Sequence, residues 1–328
     1  MNNRQIVLEP TTQSFVDVMA SRVGKPIYEL SYADARQAAE DLQAWTKVNK
    51  LPADVEEKVL PVGPTGQISV TIYRPKGSTE TLPVVMYFHG GGWVLCSKNT
   101  HDRLLRDLVN GTNAAFVFVN YTPSPEAQFP IPVEQCFAAT KYVAEHGGEL
   151  GFDTTRLAIV GDSAGGNMAA VVTQLAKERK GPAISYQVLF YPVTDASLSQ
   201  ASYKEFADGP WVTIALMKWF WDAYAPEKKD RQNKMVSPLM ATMEQLKGLP
   251  PALVIVDEYD ILRDEGEEYA GKLMQAGVET TAVRVLGTVH DFVMLNALAG
   301  TAPAKGAIDL ASQKLRQVLG SMAQRPAA

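Results

Sequence analysis

Cysteine and histidine are scarce, with two and four copies in 328 residues. The two cysteines, Cys96 and Cys136, exclude a multi-disulfide scaffold and a structural zinc held by thiolates. Runs of basic residues are missing too. Thirty-one lysines and arginines against 36 acidic residues leave a net charge of −5. That balance excludes the electrostatic footprint of a nucleic-acid or anionic-membrane binder. No apolar run approaches the roughly 18 residues needed to span a bilayer. The opening Met-Asn-Asn-Arg-Gln-Ile-Val-Leu-Glu-Pro lacks the apolar core of a signal peptide. The expectation is a soluble cytoplasmic protein with no stable membrane association and no internal repeat. The last residues, from Ala323 to Ala328, are expected to fray.

What remains is close to the globular average, with 46% apolar and 20% charged residues. A chain of this length can bury a large core. The first fifty residues read as helical. Ser31-Tyr-Ala-Asp34 resembles a capping box, and Ala35, Ala38, Leu42 and Trp45 follow at helical spacing. Residues 68–73 alternate apolar and polar, as a half-buried strand does. Short apolar runs follow at 84–88, 115–119, 157–160, 186–190, 253–256 and 282–286. Such runs suit strands covered on both faces. Helical stretches separate them at 99–110, 132–147, 164–180 and 264–276, and a last helix lies near 305–319. Pro132 opens one of these helices, and Gly147-Gly148 is expected to close it with a left-handed cap. The alternation predicts an α/β fold built on a mostly parallel sheet with right-handed crossovers. Between Tyr191 and Pro250 it is interrupted, and 213–224 reads as a strongly apolar helix. An insertion beyond a strand's C-terminal end lies where such sheets bind ligands. The expected organisation is therefore a cap from 1–50 and 199–235 over a core from 51–198 and 236–328.

Gly161-Asp-Ser-Ala-Gly165 fits G-x-S-x-G between an apolar strand and a helical stretch, the setting of a nucleophile elbow. Small residues are needed there because the turn is tight and strained. His89-Gly-Gly-Gly-Trp93 follows another strand. The amides of Gly91 and Gly92, with that of Ala164 behind Ser163, are the candidate oxyanion donors. A serine nucleophile needs a base. His101 sits in a charged helix and reads as solvated, His146 as part of a helix end, and His89 as an anchor for the glycine loop. His290, in a loop past the last strand, fits the Ser–acid–His chain order. Four carboxylates follow the strand 253–256: Asp257, Glu258, Asp260 and Asp264. Loop position favours Asp260, with Asp257 next.

Together these residues resemble the bacterial hormone-sensitive-lipase-like family of esterases in the α/β-hydrolase superfamily. The matching pieces are His89-Gly-Gly-Gly-Trp93, Gly161-Asp-Ser-Ala-Gly-Gly-Asn167, Asp260-Ile-Leu-Arg-Asp-Glu265, His290 and Tyr121-Thr-Pro-Ser-Pro-Glu126. The resemblance spans nearly the whole chain. It implies an eight-stranded, mostly parallel sheet whose second strand is antiparallel, with 55–60 and 68–73 as the first two strands. It also implies a helical cap and Asp260 as the acid. Two positions depart from the pattern: Asp291 and Cys96 stand where the family tends to have glycine. A carboxylate beside the base is expected to raise the His290 pKa or alter its loop.

The function expected is hydrolysis of short-to-medium-chain carboxylic esters by Ser163, His290 and Asp260, with no metal or organic cofactor. Trp93, Trp211, Met217, Phe220 and Trp221 are the candidate pocket residues. An amidase or peptidase is the second reading, although no charged clamp for a peptide terminus is visible. A lipase is a third. A receptor like the plant gibberellin receptor lacks the catalytic histidine, so His290 argues against it. The expected partner is a small-molecule ester, and the family analogy allows a homodimer along a sheet edge.

Overall fold

A computed structural model describes residues 6–322, so the terminal residues expected to fray lie outside the described part. The strands, in chain order, are β1 (Ala53–Leu60), β2 (Ile68–Pro75), β3 (Leu82–Phe88), β4 (Ala115–Asn120), β5 (Phe152–Asp162), β6 (Tyr186–Phe190), β7 (Ala252–Tyr259) and β8 (Thr280–Val289). Before, between and after them run the helices α1 (Pro10–Ser21), α2 (Tyr32–Trp45), α3 (Lys98–Thr112), α4 (Ile131–His146), α5 (Ala164–Glu178), α6 (Ala201–Glu205), α7 (Ile214–Tyr224), α8 (Met243–Leu246), α9 (Arg263–Gln275) and α10 (Ala302–Met322). The strands form one eight-stranded sheet in the order β1-β2-β4-β3-β5-β6-β7-β8. β2 is antiparallel to both β1 and β4, and every later pairing is parallel.

Apolar β3, β4, β5 and β6 occupy the centre, and the runs 84–88, 115–119, 157–160 and 186–190 are buried throughout. Each fully buried aliphatic or aromatic side chain in them contributes roughly 1.5–3 kcal/mol to sheet formation. Helix α5 is buried at every residue from 164 to 176, because the crossover from β5 to β6 runs beneath the sheet's middle. Such burial explains why its sequence is rich in small and apolar residues.

Some expectations are corrected. The run 282–286 is not covered on both faces: β8 is an edge strand, and Leu286 is 66% exposed. Trp45 is exposed, and the residue that α2 buries near its end is Gln43. Gln43 donates to the carbonyls of Thr100 and Met294 and accepts from the Asn296 amide, so a polar side chain does the docking there. Ser31 caps α2 by accepting from the Asp34 amide, but the Asp34 carboxylate takes the Ser31 hydroxyl and no reciprocal box forms. Gly147 and Gly148 do not make the left-handed cap. The chain continues as a short 3-10 turn, and Gly151, at φ 74°, makes the reversal.

The N-terminal helices and the 199–235 insertion meet over the C-terminal ends of the strands. Tyr32 stacks on Trp219 at 5.2 Å and Phe15 packs on Trp211 at 4.9 Å. Arg36 of α2 donates to the carbonyls of Val94 and Ser124 and forms a forked pair with Glu126. These contacts hold α2 against the glycine loop that follows β3.

Candidate active site

Ser163 lies between β5 and α5 with φ 53° and ψ −119°, a conformation costly for a side chain bearing a Cβ. The bend survives because both sides are pinned. The Ser163 amide donates to the Phe190 carbonyl at 2.9 Å, and its own carbonyl accepts from Asn167 and Val193. Asn167 also donates to the carbonyls of Val193 and Val236, fastening α5 to the segments beyond β6.

Ser163 Oγ lies 2.8 Å from His290 Nε2, and His290 Nδ1 donates to Asp260 Oδ2 at 2.7 Å. All three residues are buried, at 5% exposure or less. Asp260 sits in the loop after β7, its other oxygen held by the Leu262 amide at 3.1 Å. The carboxylate at Nδ1 selects the tautomer whose Nε2 lone pair faces the serine. Desolvation opposes a charge on His290, but Asp260 and then Asp291 outweigh it and raise its pKa to about 9.

Asp291 has φ 68° and Cys96 has φ 71°, the left-handed region that glycine enters freely. Both residues therefore carry backbone strain. Asp291 Oδ1 is 3.6 Å from His290 Nε2, and its Oδ2 accepts from Trp211 Nε1 at 3.3 Å. That bond ties the insertion to the histidine loop.

Gly91 and Gly92 lie beside Ser163 on the wall of one cavity, at φ 97° and 60°. A Cβ on Gly92 would fall 2.2 Å from the Phe220 ring, so only a bare backbone fits beneath that side chain. Ala164 opens α5, where an amide has no intrahelical acceptor. His89 stacks on Tyr121 at 4.2 Å and on Phe118 at 5.0 Å, under the loop. Desolvation, aided by His101, lowers its pKa to about 3, so it is neutral.

His101 is not solvated, as its charged helix suggested. It is fully buried, with Nε2 3.2 Å from Asp162 Oδ2. Asp162 also accepts from the Tyr87 hydroxyl and the Gly90 amide. Burial alone would raise its pKa, but His101 and Tyr87 reverse that and hold it below the ordinary carboxylate value. This anion joins the glycine loop to the serine bend. Its position inside the Gly-Asp-Ser-Ala-Gly motif was visible in the sequence, but its partners were not.

The cavity has a volume of about 360 Å³. Met19, Leu30 and Leu42 line it from the N-terminal segment, and Trp211, Met217 and Phe220 from the insertion. Trp93 and Trp221 do not line it. They pack on each other at 4.7 Å, and Trp93 stacks on Tyr224 at 4.2 Å, so both are structural aromatics behind the wall. Tyr191, which the sequence did not single out, packs on the His290 ring at 4.7 Å. Its signal is weak, since it is one more apolar residue at the end of β6.

A mostly parallel sheet carrying a serine on a strained strand-to-helix bend, opposite a glycine loop, defines a hydrolase of the α/β type. Comparisons agree. The model of the alpha/beta hydrolase fold family matches residues 85–294. Identity to the carboxylesterase NlhH of Mycobacterium tuberculosis is 38% over 240 residues, 73% of this chain and 75% of that protein. Identity to an arylesterase of Saccharolobus solfataricus is 34% over 299 residues, 87% of this chain and 92% of that protein. The crystal structure of a thermostable esterase from Pseudomonas putida ECU1011 superposes with a TM-score of 0.94 at 48% identity, covering 96% of this chain and 98% of that one. The chain belongs to the α/β-hydrolase family, among its hormone-sensitive-lipase-like esterases, enzymes that hydrolyse ester bonds. Among the described residues no helix is long and apolar enough to cross a membrane.

Proposed function

We propose that the protein is a serine carboxylesterase for short-to-medium-chain acyl esters, with Ser163 as nucleophile, His290 as general base and Asp260 as its orienting acid. The observation that carries this reading is the buried relay from Asp260 through His290 to Ser163, at 2.7 and 2.8 Å, opening on the cavity. Ser163 Oγ attacks the ester carbonyl as its proton passes to His290 Nε2. The oxyanion is received by the amides of Gly91, Gly92 and Ala164. Collapse expels the alcohol, which takes the proton from His290. Water, deprotonated by the same imidazole, then cleaves the acyl-enzyme and restores Ser163. Each oxyanion donor is worth about 2.7–4 kcal/mol in the transition state.

The cavity lies near the lower end of the roughly 300–1,000 Å³ usual for ligand sites, which supports acyl groups of limited length. A series of p-nitrophenyl esters from about two to sixteen carbons is expected to peak at short-to-medium chains, with little turnover of matched anilides. Equal anilide rates would favour the amidase reading, and a long-chain peak with activation above substrate solubility would favour a lipase.

The pH profile supplies a second test. Below its raised pKa, His290 is an imidazolium and cannot accept the serine proton. The acid limb of kcat/KM is therefore expected close to pH 9, the value to which His290 is raised. An acid limb below neutrality would contradict the charge arrangement around His290.

A further inference from the structure

Asp257 precedes Asp260 by three residues and lies among the last paired residues of β7, which ends at Tyr259. It is fully buried, and neither carboxyl oxygen has a partner at hydrogen-bonding geometry. The reaction as derived does not use it. Yet its Oδ2 lies 3.8 Å from His290 Nδ1. An oxygen of Asp257, an oxygen of Asp260 and a ring nitrogen of His290 lie within 4.8 Å of one another. Two buried carboxylates sharing one imidazole would leave an uncompensated anion, which is costly away from water.

We propose that Asp257 is a positioning residue that keeps its proton and directs it at the Asp260 carboxylate, so that a carboxyl–carboxylate pair, not a lone aspartate, faces His290. The proposal rests on the reading of Ser163, His290 and Asp260 given above. Asp260 faces His290 through Oδ2 and the Leu262 amide through Oδ1, so lone pairs remain for a further donor. An oxygen of Asp257 lies within 4.8 Å of one of Asp260.

The surrounding groups are consistent. Asp260 comes from the next loop, His290 and Asp291 from beyond β8, and Tyr191 from beyond β6. Asp162, at the end of β5, acts on His290 from farther away. Glu258 turns elsewhere, accepting from the Gly287 amide, and Arg263 is engaged by Glu205 and Asp264. His290 is thus the group of opposite charge at this cluster. Desolvation first, then repulsion from Asp260 and Asp291, pushes the Asp257 carboxyl well above its ordinary range.

A proton shared in this way draws charge from Asp260 and makes His290 less basic than a lone carboxylate would. Asp257→Leu removes the donor and keeps the branched shape of the side chain, at a larger volume. Its acid limb of kcat/KM is expected to move up by about one pH unit, with a loss of rate at neutral pH. Asp257→Asn restores a neutral donor and is expected to bring the limb back and recover most of the rate. Infrared difference spectra of wild type minus Asp257→Asn at neutral pH are expected to show the carbonyl stretch of a protonated carboxylic acid. This measurement needs neither turnover nor the leucine variant. An acid limb that stays in place in Asp257→Leu, one that falls by about a unit or more in Asp257→Asn, or a difference spectrum without the acid band would each overturn the proposal. Labelling of native Ser163 by a fluorophosphonate, with any of those results, sinks this inference alone. Failure of labelling sinks the assignment of the serine instead.

Discussion

Replacing Ser163 or His290 with alanine is expected to lower kcat for a p-nitrophenyl ester by about a millionfold, and the double variant by little more. The effects do not add, because a serine without its base and a base without its serine are equally unable to form the acyl-enzyme. The residue of rate, about 10³–10⁴ over water, comes from the oxyanion amides and from binding. Both variants are expected to fold. Ser163 accepts the strained bend through its backbone bonds to Phe190, Asn167 and Val193, which alanine retains. His290 leaves a small gap beside Tyr191 and Asp260. The checks are steady-state kinetics on freshly purified variants, with circular dichroism to establish folding. Activity within about tenfold of wild type in either folded variant would remove the nucleophile assignment.

The second large effect falls on stability. Gly165→Ala is expected to cost about 3 kcal/mol or more, or to prevent folding. A Cβ at this position would lie 2.0 Å from the Phe88 carbonyl oxygen and 2.4 Å from its carbon. Both are backbone atoms at the end of β3, and they cannot turn aside as a side chain would. The glycine is needed because α5 starts directly against the strand that leads into the glycine loop. Gly271, in α9, has nothing within 4 Å of its Cβ position. Gly271→Ala is therefore expected to stabilise by about 0.4–1 kcal/mol through helix propensity and a less disordered unfolded chain. Urea unfolding of the two variants checks the contrast. Equal midpoints would mean that the elbow can relax around an added methyl.

Much of this was legible along the chain because the signals are local. Apolar runs of four to six residues separated by helical spacing need no long-range knowledge to be read as a parallel sheet. The bend at Ser163 announces itself through flanking small residues. The resemblance to a known family then supplied the antiparallel second strand and the choice of Asp260, which spacing had left open against Asp257.

What the chain order concealed shares one physical cause. His101 looked solvated among charged neighbours because helical periodicity says which residues share a face, but not what that face meets. It meets Asp162, 61 positions away. Trp93 and Trp221 looked like pocket residues because an aromatic near a catalytic motif carries no label for direction. Instead Trp93 stacks on Tyr224 and Trp221 packs tilted against Trp93, behind the wall. Leu286 looked covered because an edge strand and a central one can carry the same apolar run. Local order therefore specified the sheet, the crossovers and the bend that presents the serine, since turn chemistry and hydrophobic periodicity act over a few residues. The partners of buried charges, the direction of aromatic side chains and the doubling of carboxylates behind His290 depend on segments that meet only when the sheet closes.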